Sequence, residues 1–398
     1  MQKLIKDFDI PNKKIETWKF TDLKKIFEKN IFEPLSTSIK NESIKSNVDA
    51  NVEKNIFFDP NINFVIFENG FVKKINIQSK NLEIKPTKIA SKKQIIDQKN
   101  FSRNDSLLEI NETFLNDNLL IKIKKGTKLK EPISIFYYNS EKKNYLINNR
   151  INVIAEKDTE AVINEIFISN NKAIYWNNVH SYICLEQNSK LEHYKIQLEG
   201  DSSIHSSSSS VNCNSSSIYN NFIFSIGGSL SRIEVNSSIN SSDINFNIKG
   251  LYLAKTNQHH DITTVMQHKH PESKSNQHIK GILQKNSSGV FQGKVIVSQD
   301  AQKTDAFQFN QNLLLSESAE ANAKPELEIY ADDVKCSHGA TTGELDEQML
   351  FYLRTRGLNK EEAQKVLIEG FINELFDEIK NSELKKKLLL TSKKNFFK

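Results

Sequence analysis

The stretch SSIHSSSSSVNCNSSSIYNN, residues 202–221, admits two incompatible readings. By composition it is a flexible serine-rich linker. Within an array of strands it is one more rung, with small side chains facing solvent. Val211, Cys213, Ile218 and the following FIFSI fit a strand that resumes, and the segments on both sides also have strand character. We therefore read it as strand, its serines outward.

Working outward, the same pattern holds from Leu119 to about Ser337. Short runs of alternating apolar residues follow one another: LLIKIKKG, PISIFYYN, RINVIAEK, AVINEIFIS, KLEHYKIQLEG, INFNIKGLYLA, GVFQGKVIVS and ELEIYADD among them. Each is bounded by Gly, Asn, Asp or Ser, and no segment has helical periodicity. More than a dozen successive strands, most without tight two-residue hairpin turns, predict a parallel β-solenoid or a sandwich. The repeat period is irregular. The fold class expected is mainly β, with helices on both flanks.

The flanks differ from the centre. Near the N-terminus Leu4, Ile5 and Phe8 form an apolar stripe that Pro11 interrupts, and Trp18, Leu23, Ile26 and Phe27 predict a second amphipathic helix. Residues 36–60 are polar and predict loop. NINFVIFENGFVKKINI (61–77) predicts a hairpin turning at Asn69-Gly70. Residues 78–118 predict mixed loop and helix, with a short helix in FSRNDSLLEINETFLND. At the other end Asp346 is placed to cap a helix carrying Leu350, Phe351 and Leu353, with Gly357 as its stop. Asn359 then caps a helix whose predicted stripe is Ala363, Val366, Leu367, Phe371, Leu375 and Ile379. The last residues, LKKKLLLTSKKNFFK, predict a frayed basic tail. The chain thus divides into 1–118, a mixed helical region; 119–343, the strand array; and 344–398, a helical domain.

The 398 residues are 37% hydrophobic and 26% charged, polar for a globular chain but not disordered in composition. The net charge of +5 comes from 54 basic and 49 acidic residues that are interspersed, with no basic stripe of the nucleic-acid-binding kind. No apolar run approaches the roughly 18 residues of a membrane helix. The N-terminal stretch lacks a signal-peptide apolar core and carries early acidic residues, and the three cysteines are far apart, so a cytoplasmic, reducing location is expected. Phosphate loops, dinucleotide fingerprints, HExxH and GxSxG are absent from the sequence. Any ATP used in this protein's process is hydrolysed by another chain.

Two constellations remain. Cys336 and His338 lie two apart, so on a strand they share a face. Thiolate and imidazole both suit iron, zinc or an iron–sulfur cluster, yet two ligands do not complete a site. From spacing alone a buried cysteine beside a hydrogen-bonded histidine outweighs a metal site. The second is HHDITTVMQHKHPESKSNQH, with five of the nine histidines. His268 and His270 would share a strand face, with His259, His260 and His278 flanking them. A polar edge of adjacent rungs outweighs metal binding there too.

The residues also resemble a known family. ADDVKCSHGAT (331–341) followed by GELDEQMLFYLRTRG (343–357) resembles the C-terminal part of the SufB/SufD family of iron–sulfur cluster assembly proteins. HHDITTVMQHKHPESKSNQHIKG (259–281) resembles the family's upstream histidine-bearing rung, and ETWKFTDL (16–23) its N-terminal segment. The match runs from about residue 160, with a weaker anchor near residue 18. The likeness is nearer to the SufD branch. A SufB-like scaffold paralogue is the alternative, and a carbohydrate-active β-helix enzyme a remote one.

This resemblance implies a right-handed parallel β-helix with an N-terminal helical region and a C-terminal helical domain. It implies a scaffold subunit with no enzyme activity of its own, in a SufBCD complex with SufB and the ATPase SufC, and a homodimer as a possible state when isolated. The C-terminal helices, with Leu350, Phe351, Arg354, Arg356 and Phe371, would dock on SufC. A nascent iron–sulfur cluster or iron, transient and shared, would form at the interface with SufB. The family's interface histidine falls on His338 and its neighbouring cysteine on Cys336, so the missing ligands would come from the partner.

Overall fold

The computed structural model describes residues 4–30, 32–35, 49–87, 106–140, 144–170 and 174–396. Half of the chain is strand and 18% is helix. From Asp117 onward the strands alternate between two ten-stranded stacks, and every pairing along them from there is parallel. This is a β-solenoid of about seven turns with helices at both ends. The first sheet ends at the strand Glu320–Ile329, the second at Lys335–Gly343.

The period is irregular because the corners differ in length. Ile204 pairs with Leu230, 26 residues on, whereas Ser288 pairs with Glu320, 32 residues on. Eight of the corners share one device, a non-glycine residue in the left-handed region: Asp158, Asn188, Ser216, Asp243, Asn257, Glu272, Lys285 and Lys303 all have φ between 51° and 62°. Asn and Asp tolerate that conformation best, which is why they bound so many of the runs.

Between the sheets lies an apolar lumen that includes Ile151, Ile183, Ile223, Ile248 and Val295. The outer face of the first sheet is covered by N-terminal residues: Ile5, Phe8, Trp18 and Leu23 pack on Trp176, Ile204 and Leu230. The outer face of the second sheet is covered by C-terminal helices, through Ile368, Ile372, Phe376 and Leu388 on Phe222, Phe224 and Leu251.

The serine-rich stretch is the strand Ile204–Cys213, as predicted, but its serines do not face solvent. Ser206, Ser207, Ser208 and Ser209 are all buried. On the covered outer face Ser206 accepts from the Trp176 indole at 2.8 Å, and Ser208 bonds His180 at 2.5 Å. On the lumen face Ser209 accepts from Lys195 at 3.1 Å. Small hydroxyls fit here because both faces already hold large polar or aromatic neighbours.

The hairpin at Asn69-Gly70 forms as expected, both residues at positive φ, and its first strand joins the second sheet beside Ile133–Asn139. The N-terminal segment is less helical than predicted. It has two 3-10 turns, Ile5–Asp7 and Glu16–Trp18, and one α-helix, Leu23–Asn30, so Trp18 precedes the helix. Leu4 is exposed. A short helix, Asp49–Glu53, and a strand, Leu82–Thr87, were not anticipated, while the helix Ser106–Thr113 was. The remainder of the predicted loop at 36–48, and residues 88–105, lie outside the described residues.

Asp346 caps the helix Glu347–Thr355 through the Gln348 and Met349 amides, and Gly357 follows it at φ 99°. Asn359 and Glu362 form a reciprocal capping box on Lys360–Phe376. That helix buries Ala363, Ile368, Ile372, Leu375 and Phe376, so its inner face is rotated from the predicted stripe, and Val366 is exposed. The predicted frayed tail is a third helix, Ser382–Phe396, held by buried Leu384 and Leu388. Its leucines at intervals of four gave a signal that the lysines masked.

Candidate functional site

The terminal strand Lys335–Gly343 pairs only with Asp305–Leu314 and is the edge of its sheet. Among the described residues no strand pairs with its backbone donors and acceptors on the other side, which makes it a template for another chain. Cys336 is the register partner of Ala306, and His338 of Gln308. Ala306 and Gln308 are buried on the lumen side, so Cys336 and His338 do share a face, at the open end of the lumen. Cys336 is half-buried against the apolar lumen, whereas His338 is exposed because no further rung covers it. Burial pushes the Cys336 thiol above its ordinary range, a backbone hydrogen bond at Ala306 opposes this, and Asp305 adds to the rise. A thiol so placed is protonated near neutrality, and a soft cation that binds it must displace the proton.

Two donors alone do not close a metal site. Among the described residues no group of three or more His, Cys, Asp or Glu side chains could hold a metal ion. The two that are present have the right chemistry for iron, and they lie at an edge a second chain can approach.

The histidine-rich stretch is not a cluster in space. His260 and His268 are buried, and His268 bonds Ser275. His270 lies in the bend after the strand rather than on it, so it shares no strand face with His268. His278 is on the outer face of the second sheet, bonded to Gln311. The bland reading, polar positions on adjacent rungs, fits these contacts. Cys213 is buried in the lumen, and Cys184, whose register partner is Asn212 and not Cys213, is half-buried.

Sequence reasoning missed the polar groups inside the lumen. Glu165, fully buried, accepts from Ser181 at 2.8 Å and Tyr137 at 3.1 Å, and is paired with His193 at 2.8 Å and Lys195 at 3.4 Å. Burial pushes its carboxyl up, but Lys195 and His193 more than offset that and hold it well below the usual range. Alternation gives a side chain a face but not its partners, which here come from neighbouring rungs of the same sheet (Tyr137, His193, Lys195) and, for Ser181, from the opposite sheet.

The first C-terminal helix exposes Met349, Phe351 and Tyr352. Leu350 is half-buried, and Arg354 and Arg356 are exposed, the latter stacked 5.2 Å over Tyr352. Phe371 is turned the other way. It packs against the solenoid with the Lys280 ammonium 4.3 Å over its ring.

Residues 136–371 match the SufBD core domain of the SUF system for FeS cluster assembly. An iron–sulfur cluster assembly SufBD family protein of Synechocystis is 32% identical over 294 residues, which are 72% of this chain and 65% of that protein. The iron–sulfur cluster assembly protein SufD of Escherichia coli is 31% identical over 285 residues, 71% of this chain and 67% of that protein. The chloroplastic protein ABCI7 of Arabidopsis thaliana is 30% identical over 393 residues, covering 94% and 80%. The match thus spans about two thirds of the length of the first two relatives. With the family domain lying across the solenoid and the first part of the C-terminal helices, the chain belongs to the SufB/SufD family and is SufD-like.

Proposed function

We propose that the chain is a non-catalytic scaffold subunit for iron–sulfur cluster assembly, pairing with SufB across the open end of its solenoid. The observation that carries this reading is the terminal strand Lys335–Gly343: exposed, unpaired on one side, and bearing His338 and Cys336 on its lumen face. In this reading iron or a nascent cluster is cargo, held transiently by those two side chains and by ligands of the partner. His338 offers a ring lone pair. Cys336 offers a thiolate once its proton is displaced.

The helices of residues 344–398 form the surface for the SufC ATPase, with Leu350, Phe351, Arg354 and Arg356 on the docking face. Phe371, packed against Lys280, supports that face from behind. Motion of SufC reaches the solenoid through this helical unit, which rides on the second sheet by Lys280–Glu374 at 2.5 Å and by the Lys249–Glu378 pair. The division into 1–118, 119–343 and 344–398 is then one of roles: clamp, scaffold and ATPase handle. No described helix is long and apolar enough to cross a membrane. The Arabidopsis relative is named chloroplastic, so a plastid fits this role as well as a cytoplasm.

The test is co-expression of the tagged chain with SufB and SufC, followed by native mass measurement. A complex holding all three supports the reading, and a chain recovered alone or only as a homodimer counts against it. Within the complex, His338→Ala is expected to impair cluster assembly without unfolding the chain. Wild-type cluster formation in that variant would remove His338 from the site.

A further inference from the structure

Behind His338 the lumen holds amides whose hydrogen-bonding capacity is unspent. Gln277, Gln308 and His338 are successive partners along the ladder of the second sheet. Their side chains therefore stack on the lumen face about 4.8 Å apart. Gln277 and Gln308 are completely buried. Gln277 Oε1 accepts the Thr264 hydroxyl at 2.5 Å, but its Nε2 has no partner, and neither carboxamide atom of Gln308 has one. A buried polar group without a partner is rare and costly, and here three such atoms lie directly under the rim.

The room for Gln308 is made by a glycine. From the first sheet Gly293 faces it, and a Cβ there would lie 3.0 Å from Gln308 Oε1 and 2.6 Å from the Phe291 ring. A side chain there would press chiefly on the Phe291 ring and would push the carboxamide aside by a few tenths of an ångström or more.

A neutral imidazole has one N–H and one lone pair. Which nitrogen binds a metal is decided by whatever accepts the N–H of the other. Gln308 is the next side chain on the ladder and has an acceptor free.

We propose that Gln308 is the positioning residue of His338: its Oε1 accepts the N–H of the lumen-facing ring nitrogen, so that the lone pair of the other nitrogen points out of the rim. Neither contact is made in the structure itself; rotation of the two carboxamides would bring the unpartnered Gln277 Nε2 to the same oxygen and keep it turned that way. This inference rests on the reading of His338 as a ligand, but its first test does not need the metal.

That test is long-range 1H–15N correlation on the metal-free full chain labelled at histidine, at about pH 8, where an ordinary imidazole is neutral. The His338 signals are identified by their loss in His338→Ala. In the wild type one neutral tautomer is expected. Gln308→Leu should give a mixture of both, as in a free imidazole. Gln308→Glu, whose carboxylate only accepts, should keep the wild-type tautomer. An unchanged tautomer in Gln308→Leu, or an inverted one in Gln308→Glu, overturns the proposal. Should the Leu variant fail to fold, the wild-type spectrum and the Glu variant decide, since a wild-type mixture overturns it equally.

In the assembled complex, ferrous ion is the probe. Gln308→Leu is expected to weaken its binding on the order of tenfold, the usual effect of removing the partner of a ligand histidine. If His338→Ala leaves cluster assembly intact, the ligand reading fails while the tautomer result still decides whether Gln308 orients the ring.

Discussion

The guanidinium of Arg232 lies 3.9 Å from the centre of the Trp18 ring, although 214 positions separate the two in sequence. Arg232 is buried on the outer face of the first sheet, paired with Asp261 and Glu234, and donates to the Thr17 carbonyl at 2.8 Å. Thr21 completes the contact by bonding Asp261 at 2.5 Å. The ETWKFTDL segment is thus a clamp: its indole covers a buried cation, and its hydroxyl and carbonyl satisfy the ion pair.

Breaking the clamp should be costly from either side. Trp18→Ala is expected to lose about 3–5 kcal/mol, the range for deleting a buried aromatic. Arg232→Met should cost about 3–5 kcal/mol as well, because it leaves Asp261 buried and unpaired. The double variant should cost less than the sum, with a coupling of roughly 1–2 kcal/mol for the stacked cation. Urea unfolding of the four proteins measures this. Strict additivity would mean that the stacking contributes nothing.

The buried histidines are expected to weaken the fold as the pH falls. Burial pushes His180 and His260 down to about 3 and His268 to about 4, with the charge of Arg150 assisting at His180 and that of His259 at His260. An unfolded histidine titrates near 6.5. Between that value and 3–4 the unfolded chain binds protons that the folded chain does not, so stability falls as pH falls through this window and is fully retained above it. Each residue contributes up to about 1.4 kcal/mol per pH unit. Thermal melts from about pH 8 down to about pH 4.5 should show the decline beginning near 6.5, before ordinary carboxylates titrate. His260→Gln should flatten the slope. A slope unchanged in that variant would exclude His260 as a source.

The strand array was legible because each run is short, alternates and ends in Asn, Asp, Ser or Gly. Which faces are covered was not. Ser206 and Ser208 look solvent-facing until residues far upstream, such as Trp18 and Leu23, are folded over the outer face of the sheet that carries them. Cys336 and His338 were placed on one face by alternation alone, and the register bears this out. Gln308 was invisible, since a glutamine on a strand carries no motif. Only the register beneath His338 and the glycine opposite give it a role.

One corner is a candidate for improvement. Lys285 has φ 51°, in the left-handed region, where a lysine gains nothing from its side chain. Asp158 and Asn188 occupy the equivalent conformation at other corners at lower cost. Lys285→Asn is therefore expected to stabilise by about 0.5–1 kcal/mol. For a chain of this size that is a rise in Tm of about 1–3 °C. Lys285→Val should lower Tm, since a branched side chain clashes in that conformation. Calorimetry of the two variants checks the sign of both.

The exposed helix face offers the last test. Phe351 is 68% exposed, with Met349 and Tyr352 exposed beside it, on a helix whose own cap is already satisfied. Three large apolar side chains exposed within four positions of one helix are a poor arrangement for an isolated chain and a good anchor for a partner. Phe351→Glu should leave the fold intact, within about 0.5 kcal/mol, because the ring makes little use of its own chain. If this face binds the ATPase, the same change should weaken that association by about 2 kcal/mol or more, roughly 30-fold. If the chain also pairs with SufB through the open end of the solenoid, as proposed, that association should be untouched, so co-purification with SufB serves as the internal control. Loss of both partners together would point to misfolding, and retention of the ATPase at wild-type affinity would move its docking surface elsewhere.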